Sequence, residues 1–205
     1  MTPQKTIERI SLYRRVVSDL LAKGKNRAYS HEIAKLAGVK SSQVRHGFMF
    51  IGTNGKANSG YDLRELQGRI EGFLTADKPD SYCIVGIGNL GRAVLAFFHA
   101  RHKNLEIKAA FDKDPALKNR VFHGCRCYSI DDAKEVIRKE GISLGIIAVP
   151  AEQAQAVAQI LIEAGIRGIV NFAPVPLKLG QGIVVENVDL AMYLEKVAFF
   201  TRNVS

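Results

Sequence analysis

The chain has 205 residues, 47% of them apolar, and a formal net charge of +9. That is room for one medium domain or two small ones, with too much apolar content for a disordered chain. No apolar run approaches the roughly 20 residues of a membrane span, Met1-Thr2-Pro3-Gln4-Lys5 has no leader-like apolar segment, and three cysteines without framework spacing fit a reducing compartment, so a cytoplasmic protein is expected.

The charge is uneven. Residues 1–62 hold eleven Lys or Arg against four Asp or Glu, a surplus of seven, and residues 63–205 have a surplus of only two. A basic face that merely solubilises the chain is one reading. A polyanion partner is the other, and the helical pattern of the same region favours it.

Ile7, Ile10, Tyr13, Val17, Leu20 and Leu21 recur at helical spacing, with Arg9, Arg14, Arg15 and Asp19 on the opposite face. A second helix is expected from a Ser30 cap, with Ile33, Leu36 and Ala37 inward and Gly38 ending it. After Gly38-Val39-Lys40, Ser41 is expected to cap a third helix running to about Phe50, which gives helix-turn-helix spacing. Val44, Phe48 and Ile51 would face inward. Ser42, Arg45, His46 and Met49 share the other stripe, as a recognition helix requires, with Arg45 available to guanine and Ser41, Ser42 and Gln43 at its start. The turn-rich segment from Gly52 to Tyr61 suits a wing, with Lys56 reaching a phosphate. A packing or dimerisation module of three helices is the competing reading. His31 and His46 have no partners at ligand spacing, so no metal is expected.

From Tyr82 onward β and α patterns alternate. Strands are expected at 82–86, 107–111, 143–149, 168–171 and 183–185, and helices near 89–101, 131–140 and 151–164. That is a doubly wound parallel sheet, with the ligand at the carboxyl ends of its strands. Gly86-Ile87-Gly88-Asn89-Leu90-Gly91 follows the first strand and opens a helix, the arrangement that seats a dinucleotide pyrophosphate on free amide groups. Asp112 ends the next strand, where a carboxylate accepts both ribose hydroxyls and repels the 2′-phosphate of NADP. Asp112-Lys113-Asp114-Pro115 is also turn-like in its own right. Val149-Pro150 and Asn171-Phe172-Ala173 end later strands and would wall a nicotinamide, so the expected cofactor is NAD(H).

No catalytic group stands convincingly beside that site. His99 and His102 read as surface residues, and His123 stands alone near a glycine. Cys125-Arg126-Cys127 is too short for a zinc or thioredoxin motif, although alternation would put both sulfurs on one face. A helix from about Leu190 carries a broad apolar stripe, and packing on its own domain or into a second subunit remains open.

These marks resemble the Rex family of bacterial redox-sensing repressors over essentially the whole chain. They include Ile10-Ser11-Leu12-Tyr13-Arg14-Arg15, Ser42-Gln43-Val44-Arg45, Lys56 with Gly60-Tyr61, and the glycine turn. Phe111-Asp112-Lys113-Asp114-Pro115, Val149-Pro150-Ala151-Glu152, Asn171-Phe172-Ala173-Pro174 and Val188-Asp189-Leu190-Ala191 follow in order. The resemblance implies a winged helix-turn-helix DNA-binding domain over 1–78, a Rossmann NAD(H)-binding domain over 79–187 and a domain-swapped dimerisation helix over 188–205. It implies a homodimer that binds palindromic operator DNA and is released by NADH. Arg15 and Asp189 match its switch network, and Phe97 stands where many members carry a tyrosine.

His46, Gly47 and Asn58 depart from the family's usual DNA-reading pattern. Two alternatives therefore stand beside the repressor: an NAD(H)-binding paralogue with altered or lost operator binding, and a small NAD-dependent oxidoreductase.

Overall fold

The computed structural model describes residues 3–55, 59–74, 80–101 and 105–202. Lys56, Asn58 and His102 lie outside the described residues. The chain divides into two compact units, Met1–Lys78 and Pro79–Ser205.

The first unit runs α1 (Gln4–Ala22), β1 (Arg27–Ala28), α2 (Ser30–Ala37), α3 (Ser41–Phe50), β2 (Tyr61–Asp62) and α4 (Leu63–Leu74). Ile10, Tyr13, Val16, Val17 and Leu20 put one face of α1 into a core completed by Ile33, Val44, Phe48, Leu63, Leu66 and Ile70. Phe48 anchors it, meeting Tyr13 and Tyr61 edge-on at centroid distances of 5.3 and 4.8 Å. Burying such a ring stabilises by roughly 2–3 kcal/mol. β1 and β2 pair antiparallel, and Asp62 Oδ1 accepts the amides of Arg64 and Glu65 at 3.0 and 3.2 Å, starting α4.

Some local expectations shift. Ser30 and Ser41 are the first helical residues rather than the caps. Tyr29 and Lys40 precede the helices, and their backbone amides donate to the side chains of Glu32 and Gln43 at 2.8 and 3.0 Å. Leu36 is exposed and Ala34 is buried in its stead, because an eight-residue helix turns only two or three positions inward. Gly38 ends α2 at φ 66°, as its C-terminal position requires.

The second unit is a seven-stranded sheet. Its elements are β3 (Asp80–Val85), α5 (Asn89–Arg101), β4 (Leu105–Asp112), β5 (Val121–Phe122), β6 (Cys125–Ser129), α6 (Ala133–Glu140), β7 (Leu144–Ile147), α7 (Ala151–Ala164), β8 (Gly168–Asn171), β9 (Val184–Asn187) and α8 (Leu190–Arg202). The strand order is β5-β6-β4-β3-β7-β8-β9, parallel except for the edge strand β5. Alternation along β3 sends Cys83 and Val85 into one core, with Phe111, Ile137 and Leu161, and Ile84 into another, with Val94, Leu95 and Cys127. The crossovers reverse direction at β3, which opens a crevice between the carboxyl ends of β3 and β7.

The β5–β6 hairpin is an addition to the strands expected from sequence. None of the residues of α8 is buried, and Leu194, Val197, Phe199 and Phe200 are all at least half exposed. Among the described residues no helix is long and apolar enough to cross a membrane.

Candidate functional site

The glycine turn sits at the mouth of the crevice. Gly86 has φ +96°, and a Cβ there would strike the carbonyl of Ala148. A Cβ on Gly91 would collide with the carbonyl of Gly86, so only glycine lets α5 start this close to β3. Gly88 is different: a Cβ on it would meet no atom within 4 Å. Packing among the described residues does not require glycine there. The first amides of α5 have no carbonyl partner inside the helix, which makes this open side a seat for an anion.

Asp112, at the end of β4, faces the turn. Its Oδ2 accepts the Ile87 amide at 2.7 Å and its Oδ1 accepts the Asp114 amide at 3.0 Å. The carboxylate thus holds the glycine turn in shape and keeps lone pairs for further donors. Arg92 is a neighbour the sequence reading overlooked. Its Nε donates to the Ile87 carbonyl at 3.0 Å, and its guanidinium lies 4.9 Å from the centroid of the Phe122 ring. A cation one residue past the last glycine of the motif was the available signal.

The opposite wall is built from β7 and β8. Val149 and Pro150 connect β7 to α7, with the Ala148 amide bonded to the Val85 carbonyl at 2.8 Å. Asn171 is fully buried. Its Nδ2 donates to Val175 O at 2.8 Å and Asn187 Oδ1 at 2.9 Å, and its Oδ1 accepts the Ala173 amide at 3.0 Å. Its amide is engaged within the protein, so Asn171 shapes the wall carrying Phe172 and Ala173. Phe172 packs against one core and Ala173 enters the other. The glycine cradle, the open approach at Gly88 and the Asp112 carboxylate fit a dinucleotide.

Of the residues expected from the resemblance to form the switch, Asp189 starts α8: its Oδ1 accepts the Ala191 and Met192 amides at 2.9 and 3.1 Å. Phe97 lies exposed on α5, edge-on to Phe98 at 5.5 Å. Arg15 is exposed on α1.

The cysteines are buried. Burial pushes the thiols of Cys83 and Cys125 up to about 12 and that of Cys127 to about 11, the reverse of what a reactive thiol needs. His123 is not alone, as its ring centroid lies 6.5 Å from that of His99. Among the described residues no group of three or more His, Cys, Asp or Glu is arranged to hold a metal.

In the first unit, Ser42, Arg45, His46 and Met49 form the exposed stripe of α3, with Ser41 and Gln43 half-buried at its start. Arg45 Nη1 reaches the Ser30 hydroxyl at 3.4 Å, which ties the stripe to α2. Gly47 is a contact residue: a Cβ there would lie 3.0 Å from Tyr13 Cε2, so the glycine seats α3 against α1.

Residues 2–48 match a family profile described as "Putative DNA-binding protein N-terminus", and residues 77–175 match one described as "CoA binding domain". The redox-sensing transcriptional repressor Rex of Limosilactobacillus fermentum is 36% identical over 98% of this chain and 93% of its own length. That of Listeria welshimeri is 34% identical over 98% of this chain and 94% of its own. Among solved structures, RSP, a Rex-family repressor, superposes with a TM-score of 0.87 at 28% identity, covering 99% of this chain and 95% of that one. RSP in complex with beta-NAD+ and operator DNA gives 0.91 at 29% identity, covering 99% and 94%.

Proposed function

The chain belongs to the Rex family of redox-sensing transcriptional repressors, and on that premise we propose that it is an NAD(H)-responsive repressor of the cytoplasm. It binds palindromic operator DNA as a homodimer and lets go when NADH binds. The observation that carries this reading is the Asp112–Ile87 hydrogen bond at the open glycine turn, in one chain with a helix-turn-helix whose exposed α3 stripe carries Arg45. RSP has been solved both with beta-NAD+ and operator DNA and with beta-NADH.

Gly86, Ile87, Gly88, Asn89, Leu90 and Gly91 would hold the pyrophosphate, and Asp112 the adenosine ribose. Val149, Pro150, Phe172 and Ala173 would wall the nicotinamide, on a backbone that Asn171 fixes. Bound there, the nicotinamide supplies a ring that carries a positive charge when oxidised and none when reduced. An apolar wall disfavours the charged ring, so the two forms differ in affinity, and that difference alone can shift a two-state dimer. Ser41, Ser42, Gln43, Arg45, His46 and Lys56 would meet DNA, and the apolar surface of α8 would be covered by the second subunit. Arg15, Phe97 and Asp189 would belong to the linkage between the sites. No catalytic step is assigned to the chain.

The test is binding selection from random duplexes with NAD+ and with NADH, followed by a mobility shift. A palindrome enriched with NAD+ and released by NADH is expected. No enrichment in either condition overturns the repressor. Gly47, where a Cβ would lie 3.0 Å from Tyr13 Cε2, departs from the family's usual pattern and favours one second reading, an NAD(H)-binding paralogue with altered or lost operator binding, for which the selected palindrome would differ from that of the relatives or be absent.

A further inference from the structure

A cavity of about 380 Å³ lies in the first unit between the N-terminal half of α1 and the length of α3. α1 contributes Thr6 and Arg9, and α3 contributes Ser42, Gln43, His46, Gly47 and Phe50; among the described residues no carboxylate lines it. The Arg9 Nε is bonded back to the Lys5 carbonyl at 3.0 Å, which steadies the side chain in one pose. The Tyr13 ring lies against Gly47, and its buried hydroxyl has no hydrogen-bond partner among the described residues. Burial raises its pKa, and the Arg9 charge opposes that rise.

Two cationic or ionisable side chains, two hydroxyls and an amide, with no acid among them, suit a phosphodiester oxygen. We propose that this cavity seats a DNA backbone phosphate between Arg9 and protonated His46, so that DNA affinity rises as the pH falls. The proposal rests on the repressor reading and adds to it a contact from α1 and a proton. His46 shares the cavity with Arg9 of α1; beside it in sequence, Arg45 donates to the Ser30 hydroxyl of α2 at 3.4 Å, and the Tyr13 ring of α1 lies against Gly47. Imidazole is the side chain that changes charge between about pH 5 and 8, and it gives up its acceptor nitrogen to become a second donor when it does.

The experiment is fluorescence anisotropy of the full chain with a random-sequence duplex and with a selected palindrome, at constant ionic strength, from about pH 5.5 to about pH 8. Affinity for both duplexes is expected to be about tenfold higher at the acid end. His46→Lys should flatten the profile at the tight level and His46→Asn at the weak level. Arg9→Gln should weaken binding across the range and lower the salt slope by about one. A pH-independent wild type, or a slope that survives in His46→Asn, overturns the proposal and leaves the repressor standing. Failure to bind either duplex at any pH overturns both. Inorganic phosphate is the remaining arm. If it shifts the His46 ring resonances while DNA binding ignores His46, the cavity holds free phosphate and the backbone assignment is wrong.

Discussion

The Asp112 carboxylate accepts the Ile87 amide at 2.7 Å across the mouth of the glycine turn. The group expected to read the ribose therefore also shapes the turn proposed to seat the pyrophosphate, and the two parts of the proposed nucleotide site cannot be altered separately. Asp112→Ala is expected to weaken NADH binding by about tenfold or more, the scale of one charge-assisted hydrogen bond. It should also narrow the preference for NADH over NADPH, because a negative charge facing the 2′-position is gone. Titration of NADH and NADPH fluorescence measures both.

The three glycines of the turn separate by what surrounds them. Gly91→Ala would drive a Cβ into the Gly86 carbonyl and should lower the thermal midpoint as well as abolish NADH binding. Gly88→Ala meets nothing within 4 Å. It should leave the midpoint of the ligand-free protein unchanged while weakening NADH by about tenfold or more. Differential scanning calorimetry with and without NADH distinguishes the two. Equal loss of stability in both variants would contradict this division.

Gly47→Ala sets two effects against each other. Alanine gains about 1 kcal/mol of helix propensity, but its Cβ would lie 3.0 Å from Tyr13 Cε2. Tyr13 is fully buried and braced edge-on by Phe48 at 5.3 Å, so it has little room to yield. Overpacking of this kind costs roughly 1–3 kcal/mol, and the net change should be a destabilisation of about 1 kcal/mol. Urea unfolding gives the sign.

Asp189 caps α8 with two hydrogen bonds. Asp189→Ala should remove about 1 kcal/mol from that helix and raise the dimer dissociation constant about fivefold. Analytical ultracentrifugation across a dilution series reads it.

The cysteines give a pH prediction. Burial raises the folded thiols from the ordinary 9.0 to about 12 for Cys83 and Cys125. Above pH 9 the unfolded chain releases these protons while the folded chain keeps them, so the stabilisation they confer is complete below that point. It declines as the pH rises through the interval up to about 12. Alkylation should be slow at neutral pH and become fast on unfolding.

What could be read from the sequence was what neighbouring residues determine. The glycine turn is a local requirement for backbone room, so its six residues and the strand before it were legible, as were the period of α1 and the stripe of α3. The β5–β6 hairpin was not, because two-residue β5 is too short for a pattern and Arg126 breaks the apolar run of β6. The engagement of Asn171 depends on Asn187, sixteen residues away. The cavity between Arg9 and His46 joins residues thirty-seven positions apart, and periodicity placed Arg9 only on an outer face. The helix starts shifted by one residue because Glu32 and Gln43 reach back to the preceding amide, and serine at either position looks the same in sequence.

α8 carries its large apolar side chains at least half exposed in the single chain, while the helix proposed to read DNA lies in the other compact unit. If α8 is the dimer contact, the two properties are inherited separately. A chain damaged only in α3 would still recruit an intact partner and waste it, since a palindrome needs both halves read. Loss-of-function alleles in the head would then be dominant-negative, whereas those in α8 would be recessive.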